Sequence, residues 1–196
     1  MESMSGHPVI LLHGLGDTVA VFEHMQAHLQ RAGLCVHAFN LVPNNGRAPL
    51  PELADQLDGY IRATFGSAEP VDLVGFSMGG LVSRYYLQRM GGIERVRRFV
   101  TIGTPHHGTW SAYVLSSPGV RNMRPGSAFL RDLNQDMEML EGVLLASIWT
   151  PFDLMIVPAT SSRVRVGRSI SVRTLVHPLL VRDPRVMRLV LDILSE

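Results

Sequence analysis

Short apolar runs alternate with longer amphipathic segments along most of the chain. Continuous hydrophobicity is typical of strands that are covered on both faces of a parallel sheet, because neither face meets water. Six runs therefore predict strands, at residues 8–12, 34–40, 71–75, 98–102, 144–149 and 171–176.

The segments between these runs carry apolar residues at helical spacing. The last helix has the clearest start, since Asp183 is a good N-cap and Pro184 suits the first helical position. The repeated strand-then-helix order predicts an α/β fold, with a mostly parallel sheet of about six strands and helices on both faces. The inward positions of the four helices begin with Phe22, Met25 and Leu29, then Leu53, Leu57 and Ile61, then Leu81, Val82 and Tyr85, and finally Val186, Leu189 and Val190.

Residues 104–141 depart from this alternation. They are rich in Gly, Pro, Ser and Met, and they predict one helix near residues 129–140 and no clear strand. A long connection inside a compact domain is usually functional. We interpret it as a small lid or a binding segment within a single domain, residues 1–196.

The amino-acid composition limits the reactions that the chain can catalyse and the partners that it can bind. The 196 residues are 46% hydrophobic and 18% charged, with a net charge of +1, which favours a globular protein and argues against a nucleic-acid partner. All 18 basic residues are arginine. Mechanisms that need a lysine, such as a phosphate-binding P-loop or a pyridoxal-phosphate Schiff base, are therefore excluded.

The sequence contains a single cysteine and no pattern typical of a secretory signal peptide. Cys35 is the one cysteine and lies in an apolar run, so we expect a buried structural thiol. No basic residue precedes Arg31, and no apolar run approaches membrane-spanning length. These features predict a cytoplasmic protein without an integral membrane segment.

The strongest motif is Gly-x-Ser-x-Gly, with Gly75, Ser77 and Gly79 in its fixed positions. It directly follows a predicted strand and directly precedes a predicted helix, which is the setting of a nucleophile elbow. A sharp turn there needs small neighbours and presents the hydroxyl above the sheet. The alternative interpretation is an ordinary glycine-rich turn between a strand and a helix.

Negative charge that develops at a carbonyl oxygen needs N–H donors. Met78 opens the helix after Ser77, so its N–H is the expected first donor, and the Leu15 N–H in the loop after the first strand is the expected second. His13 begins that loop. We expect it to support the loop by hydrogen bonding, with a role as catalytic base as the alternative.

A serine nucleophile needs a base and an acid that orients the base, in the chain order Ser, acid, His on this type of sheet. His177 is the one histidine beyond the last two predicted strands, and Asp153 follows the fifth strand. Asp132 and Asp136 are the reserve acids. The histidines at 7, 24, 28 and 37 precede Ser77 and have the wrong order.

Metal binding is the competing use of histidine. His24 and His28 lie one helical turn apart, but no third ligand is evident, so we expect a solvated helix face and no metal or other cofactor.

Together these residues resemble the small serine lipases and esterases of the α/β-hydrolase fold, particularly compact lipases with little or no lid. The similar stretches are residues 13–16, 75–80, 103–109 and 150–153, and the segment from His177 into the last helix. The resemblance implies hydrolysis of carboxylic esters of short to medium acyl chain through Ser77, Asp153 and His177. A thioesterase, an acyltransferase or a catalytically silent binding module are the alternatives.

The resemblance also places the substrate. We expect His13, Gly14, His106 and His107 to border it, and residues 104–141 to form a lid or an acyl-binding segment. Met123, Met137 and Met139 then form a pliable wall, or else pack the core. Partners are a small-molecule or lipid ester, with transient contact to a lipid surface, and no nucleic acid.

Overall fold

A computed structural model describes residues 6–66 and 68–196. Its strands are β1 (Val9–Leu12), β2 (Val36–Phe39), β3 (Val71–Phe76), β4 (Val96–Ile102), β5 (Leu144–Trp149) and β6 (Arg168–Ser171). They form one six-stranded sheet in the order β2-β1-β3-β4-β5-β6, and every neighbouring pair is parallel. The predicted sheet is confirmed. All carboxyl ends of its strands consequently meet at one edge.

Helices cover both faces of the sheet, as expected. The described helices are α1 (Glu23–Arg31), α2 (Leu50–Phe65), α3 (Met78–Arg89), α4 (Pro118–Asn122), α5 (Ala128–Gln135) and α6 (Pro184–Leu194). One hydrophobic cluster joins α2 and α3 to one face, and a second joins α1 and α6 to the other. All six residues of β3 are buried between them. Asp183 caps α6 by accepting the Arg185 N–H, as its position predicts.

The sixth strand was predicted in the wrong place. β6 spans Arg168–Ser171, whereas the sequence pattern indicated residues 171–176. The strand lies at the edge of the sheet and pairs only with β5, so its side chains are mostly exposed and polar. The apolar residues that suggested a strand lie beyond it, where Leu175 and Val176 are exposed on the surface.

The Cys35 prediction was also wrong, because its side chain is exposed. The residue lies just before β2, the other edge strand, where side chains alternate between core and solvent. Its neighbours Leu34 and Val36 are buried, and Cys35 points the other way, with its Sγ 3.4 Å from Nε2 of His37.

Residues 104–141 contain no strand, and their helical part is divided. The predicted single helix is α5 followed by a 3-10 turn over Met137–Gly142. Two arginines of α3 hold this part in place. Arg84 donates to the carbonyl oxygen of Leu133 at 2.7 Å, and Arg89 forms ion pairs with Asp132 at 2.7 Å and Asp136 at 2.8 Å.

Candidate active site

Ser77 lies in the turn between β3 and α3 with strained backbone. It has φ 52° and ψ −119°, and it is the one residue other than glycine with positive φ in the described ranges 6–66 and 68–196. A Cβ on Gly75 would lie 2.5 Å from Gly80 Cα, and one on Gly79 would collide with the Leu12 carbonyl oxygen. The two glycines are therefore required by packing, and they allow the close approach that raises Ser77 above the sheet.

Such strain is stored in the native state and disappears if the residue becomes glycine. We expect Ser77→Gly to be more stable than Ser77→Ala by about 1 kcal/mol. The positive φ at this position is unfavourable for alanine, whereas glycine adopts it without strain. Paired urea denaturation curves of the two variants measure this difference. A glycine variant that unfolds at a lower urea concentration than the alanine variant would contradict the strain argument.

His177 and Asp153 form a buried pair at the same edge of the sheet. Nδ1 of His177 lies 2.7 Å from Oδ2 of Asp153, and both side chains are 2% exposed. A carboxylate only accepts hydrogen bonds, so Nδ1 carries the proton and Nε2 carries the lone pair. Nε2 is buried and has no hydrogen-bond partner among the described residues. Nε2 is therefore the ring nitrogen whose lone pair is unused.

The acid is fixed on its other side by backbone. Oδ1 of Asp153 accepts the N–H groups of Met155 at 2.9 Å and Ile156 at 2.8 Å, so the carboxylate cannot rotate freely. The reserve acids Asp132 and Asp136 bind Arg89 instead. Arg89 also lowers the pKa of Asp136 by donating hydrogen bonds to it. The structure therefore brings His177 together with Asp153 and with neither reserve.

The imidazole of His177 is held between two neighbours. Its ring packs against Phe76 with centroids 4.9 Å apart, and on another side it meets Gly103, where a Cβ would lie 2.8 Å from Cε1. Gly103 follows β4, and any side chain there would displace the ring. His177 itself lies in a 3-10 turn over His177–Arg182, rather than at the end of a strand.

The loop after β1 is braced from beneath by His13. Its Nε2 accepts the Leu41 N–H at 3.0 Å, so Nδ1 carries the proton and donates to the Gly14 carbonyl oxygen at 2.9 Å. His13 is fully buried, and both of its ring nitrogens are occupied. It supports the loop, as expected, but it does not border the pocket. Because neither ring nitrogen is free, His13 has no nitrogen with which to act as the catalytic base, which was the alternative role.

Ser77 and His177 face one cavity of about 130 Å³. Met78 is the first residue of α3, so its N–H lies among the groups that a helix leaves without an internal partner. Gly14 lies against Ser77, since a Cβ on Gly14 would be 3.1 Å from that of Ser77. The cavity is lined by Leu15, Asp17, Phe76, Ser77, Pro105, Thr109, Ser111, Met123, Met155, Ile156, His177 and Pro178.

Two predicted pocket residues lie elsewhere. His106 is fully buried between Thr101, 3.0 Å from its Nε2, and Arg84, 3.5 Å from its Nδ1. Burial and the neighbouring arginine lower its pKa well below the usual value, so it is neutral. His107 is exposed, and its N–H is bound to the Ser161 carbonyl oxygen. His106 therefore holds the loop after β4 through its side chain and His107 through its backbone N–H, and neither lines the cavity.

The three methionines predicted to form a pliable wall lie in three different environments. Met123 lines the cavity, Met137 is fully buried in the core, and Met139 is 40% exposed. Met155 lines the cavity and was not predicted, because its position depends on how the loop after Asp153 folds. Asp17 was also missed. Its half-buried carboxyl lines the cavity, and burial raises its pKa.

The described residues show neither a metal site nor a membrane-spanning helix. Within residues 6–66 and 68–196, no three His, Cys, Asp or Glu side chains are grouped so that they could hold a metal ion. His24 is exposed on α1 and His28 is half-buried. No helix in the described ranges is long and apolar enough to cross a membrane.

A strained serine after a central parallel strand and a buried His–Asp pair beside it invite comparison with known hydrolases. The model of the alpha/beta hydrolase fold family matches residues 7–171. The chain belongs to the alpha/beta hydrolase fold family.

Relatives of this chain include a triacylglycerol lipase of Pseudarthrobacter phenanthrenivorans. The two are 34% identical over an alignment of 111 positions that covers 53% of this chain and 34% of that protein. The lysosomal thioesterase PPT2 of Mus musculus is 31% identical over 109 residues, 53% of this chain and 35% of that protein. The matches thus span about a third of the length of these curated relatives. Among solved structures, the mature lipase BlEst2 of Bacillus licheniformis superposes with a TM-score of 0.80 at 16% identity, over 98% of this chain and 94% of that one.

Proposed function

We propose that this chain is a serine hydrolase that cleaves carboxylic esters through Ser77, His177 and Asp153. The observation that carries the proposal is the lone pair of His177 Nε2, which is buried, unpaired and beside the cavity that Ser77 lines. An uncharged hydroxyl is a weak nucleophile, and a nearby imidazole that is itself oriented by a carboxylate activates it. The lipase relatives support the ester as the bond that is cleaved.

The proposed reaction has two halves. His177 Nε2 takes the Ser77 proton while the Ser77 oxygen attacks the ester carbonyl carbon, and the N–H groups of Leu15 and Met78 stabilise the oxyanion. His177 then returns the proton to the departing alcohol as the carbon–oxygen bond breaks. In the second half His177 activates a water that hydrolyses the acyl-enzyme. Each oxyanion donor contributes about 10²–10³ in rate in such sites.

The cavity favours short to medium acyl chains. Its volume of about 130 Å³ is below the roughly 300–1,000 Å³ of pockets that enclose drug-sized ligands. Thr109, Ser111 and Met123 from residues 104–141 line it, and Arg84 and Arg89 hold the later part of this segment against α3. We therefore propose an acyl-binding segment in preference to a mobile lid, within one domain.

Labelling with a fluorophosphonate tests the activated serine without assuming a substrate. We expect stoichiometric labelling at Ser77, located by peptide mass spectrometry, and loss of labelling in His177→Ala. Ser111→Ala is the matched control, because Ser111 lines the same cavity but its hydroxyl donates to the Met155 carbonyl oxygen. Labelling of the folded protein at another serine would overturn the role of Ser77, and no labelling at all would overturn the proposal and favour a silent binding module.

A thioesterase on the same three residues is the second candidate, and the similarity to lysosomal thioesterase PPT2 is the observation that favours it. Comparing kcat/KM for a p-nitrophenyl ester and for a thioester of the same acyl chain separates the two. Added short alcohols test the acyltransferase alternative, since a transferase forms the new ester at the expense of the free acid.

A further inference from the structure

Asp17 supplies the one carboxylate among the described residues that line the Ser77–His177 cavity. It lies at the end of the loop after β1, and its backbone is held on both sides. Its N–H donates to the Gly14 carbonyl oxygen at 3.3 Å, and its own carbonyl oxygen accepts from the side-chain amide of Asn44. The fold therefore fixes the position from which the Asp17 side chain reaches the cavity.

The Asp17 carboxyl group has no protein partner. Its two oxygens accept no hydrogen bond and form no ion pair within residues 6–66 and 68–196. Burial is the main influence on the group and raises its pKa. A carboxylate in this position has lost part of its hydration without gaining a protein donor, so a donor on a bound ligand would compensate for that loss.

The other polar lining groups outside the proposed triad are already occupied. The hydroxyl groups of Thr109 and Ser111 both donate to the Met155 carbonyl oxygen, at 2.9 Å and 2.6 Å. The rest of the lining is apolar and consists of Leu15, Phe76, Pro105, Met123, Met155, Ile156 and Pro178. Asp17 is consequently the lining group that distinguishes a polar part of a substrate from an apolar one.

Asp17 lies close to the nucleophile. A Cβ on Gly14 would be 3.0 Å from Asp17 Oδ2 and 3.1 Å from the Cβ of Ser77, so these last two atoms are at most about 6 Å apart. An ester that is bonded to the Ser77 oxygen is built from bonds of about 1.5 Å. A group two carbons beyond its alcohol oxygen is therefore within reach of the carboxylate.

The alcohol half of the ester is the part that faces Asp17. In the proposed reaction His177 Nε2 returns its proton to the alcohol, which places the alcohol beside His177. The proposed acyl-binding residues belong to residues 104–141, whereas Asp17 belongs to the loop after β1. A hydroxyl suits the site better than an ammonium group, because an apolar lining makes the desolvation of a charge costly.

We propose that Asp17 is a specificity-determining residue whose carboxylate accepts a hydrogen bond from a hydroxyl on the alcohol half of the substrate. Esters of hydroxylated alcohols are then preferred to esters of alkyl alcohols of the same size. The same carboxylate repels an alcohol that carries an acid group. This inference rests on the proposed ester hydrolysis and deepens it by naming the class of alcohol.

The test compares kcat/KM for three butyrate esters of similar size, the 2-hydroxyethyl, propyl and carboxymethyl esters, in a pH-stat at pH 8. Asp17→Leu is the reference for their intrinsic reactivity. Relative to it, we expect the parent to favour the hydroxyethyl over the propyl ester about tenfold, the low end for a hydrogen bond to a charged group, because the carboxyl is only half-buried. The parent should also discriminate against the carboxymethyl ester.

Asp17→Asn separates charge from shape. The amide keeps an acceptor oxygen but has no charge, so it should retain a smaller preference for the hydroxyethyl ester and lose the discrimination against the carboxymethyl ester. Each result is a ratio of two esters measured on one variant. A general change in activity, which a merely structural role would produce, therefore cancels.

Two control variants should keep the ratios of the parent. Ser111→Ala removes a hydroxyl that lines the same cavity but is bound to the Met155 carbonyl oxygen, and Asp55→Leu removes an exposed carboxylate of α2. Ethyl 3-hydroxybutyrate and ethyl 3-methylbutyrate carry the change on the acyl half, where Asp17 should have no effect on the ratio. Equal ratios in the parent and Asp17→Leu, or a preference that depends on Asp17 on the acyl half, would overturn the proposal.

Binding without cleavage separates this proposal from ester hydrolysis. In the Ser77→Ala protein, NMR titration should show tighter binding of the intact hydroxyethyl ester than of the propyl ester, and the added Asp17→Leu change should abolish the difference. Such binding without fluorophosphonate labelling of the Ser77 protein would remove hydrolysis and leave Asp17 as the recognition group. Labelling together with ester ratios that are independent of Asp17 would remove the role of Asp17 and leave hydrolysis.

Discussion

Replacing Asp153 with asparagine is expected to lower kcat for ester hydrolysis about 10⁴-fold and to leave the fold intact. In the parent, Oδ1 accepts two backbone N–H groups and Oδ2 accepts the proton on His177 Nδ1. An amide that keeps its oxygen on the backbone donors presents its NH₂ group to His177. The histidine then accepts at Nδ1 and carries its proton on Nε2, so it can no longer take the proton of Ser77.

The measurement is single-turnover acylation with a p-nitrophenyl ester, beside circular dichroism to verify folding. Asp132→Asn is the matched control, because Asp132 is the reserve acid and its carboxylate binds Arg89 on an exposed surface. We expect it to stay within about twofold of the parent, as a surface substitution away from the site. Near-normal turnover of Asp153→Asn would remove Asp153 from the proposed triad, whatever its distance from His177.

Replacing Arg84 with methionine is expected to lower the free energy of unfolding by about 1–3 kcal/mol, because buried hydrogen-bond acceptors lose their donor. The Arg84 side chain is completely buried, and burial lowers the pKa of its guanidinium to about 9, which still leaves it charged at neutral pH. It donates to the Leu133 carbonyl oxygen at 2.7 Å, to Asn134 Oδ1 at 3.0 Å and to Gln88 Oε1 at 3.1 Å. Methionine fills most of the space but leaves these buried acceptors without the Arg84 donor.

Urea denaturation measures the free energy of unfolding for Arg84→Met beside Arg97→Met, in which an exposed arginine is changed in the same way. The control should change stability by no more than about 0.5 kcal/mol. Similar midpoints for the two variants would show that the buried guanidinium does not hold α5 against α3. A selective loss of amide-exchange protection in α5 would localise the effect of Arg84→Met to the predicted contact.

Three features of the fold could be predicted because they depend on periodicity, on a short stretch of residues, or on the order of residues along the chain. The continuous apolar run of β3 and the helical spacing after Ser77 are properties of neighbouring residues, and they identify a central parallel strand that leads into a helix. The sharp turn at Ser77 was predicted from the same short stretch, since its glycines are what such a turn needs, and the structure shows it as a positive φ. The order of Ser77, Asp153 and His177 along the chain likewise indicates which side chains reach one edge of a parallel sheet.

The failed predictions concern residues at the edges of the sheet or in loops, where local pattern is weak. β6 pairs on one side only, so its polar residues give no apolar strand signal, and the more apolar stretch at 171–176 was predicted as the strand instead. Cys35 stands beside the other edge strand, where a one-residue alternation decides between core and water. The sequence suggested that His106 borders the substrate, but its side chain lies in the interior, where it contacts Thr101 and Arg84.

The sequence by itself determined the layered α/β architecture, the sharp turn at Ser77 and the small set of acids and histidines that reach the same edge. Those properties depend on hydrophobic periodicity, on one short motif and on the order of residues along the chain, none of which requires knowledge of how distant segments pack. Only the tertiary structure decided that His177 meets Asp153 while Asp132 and Asp136 meet Arg89, and that Leu154, Leu175 and their neighbours stand exposed around the cavity. These contacts join residues far apart in the chain, so they depend on how the loops pack against one another.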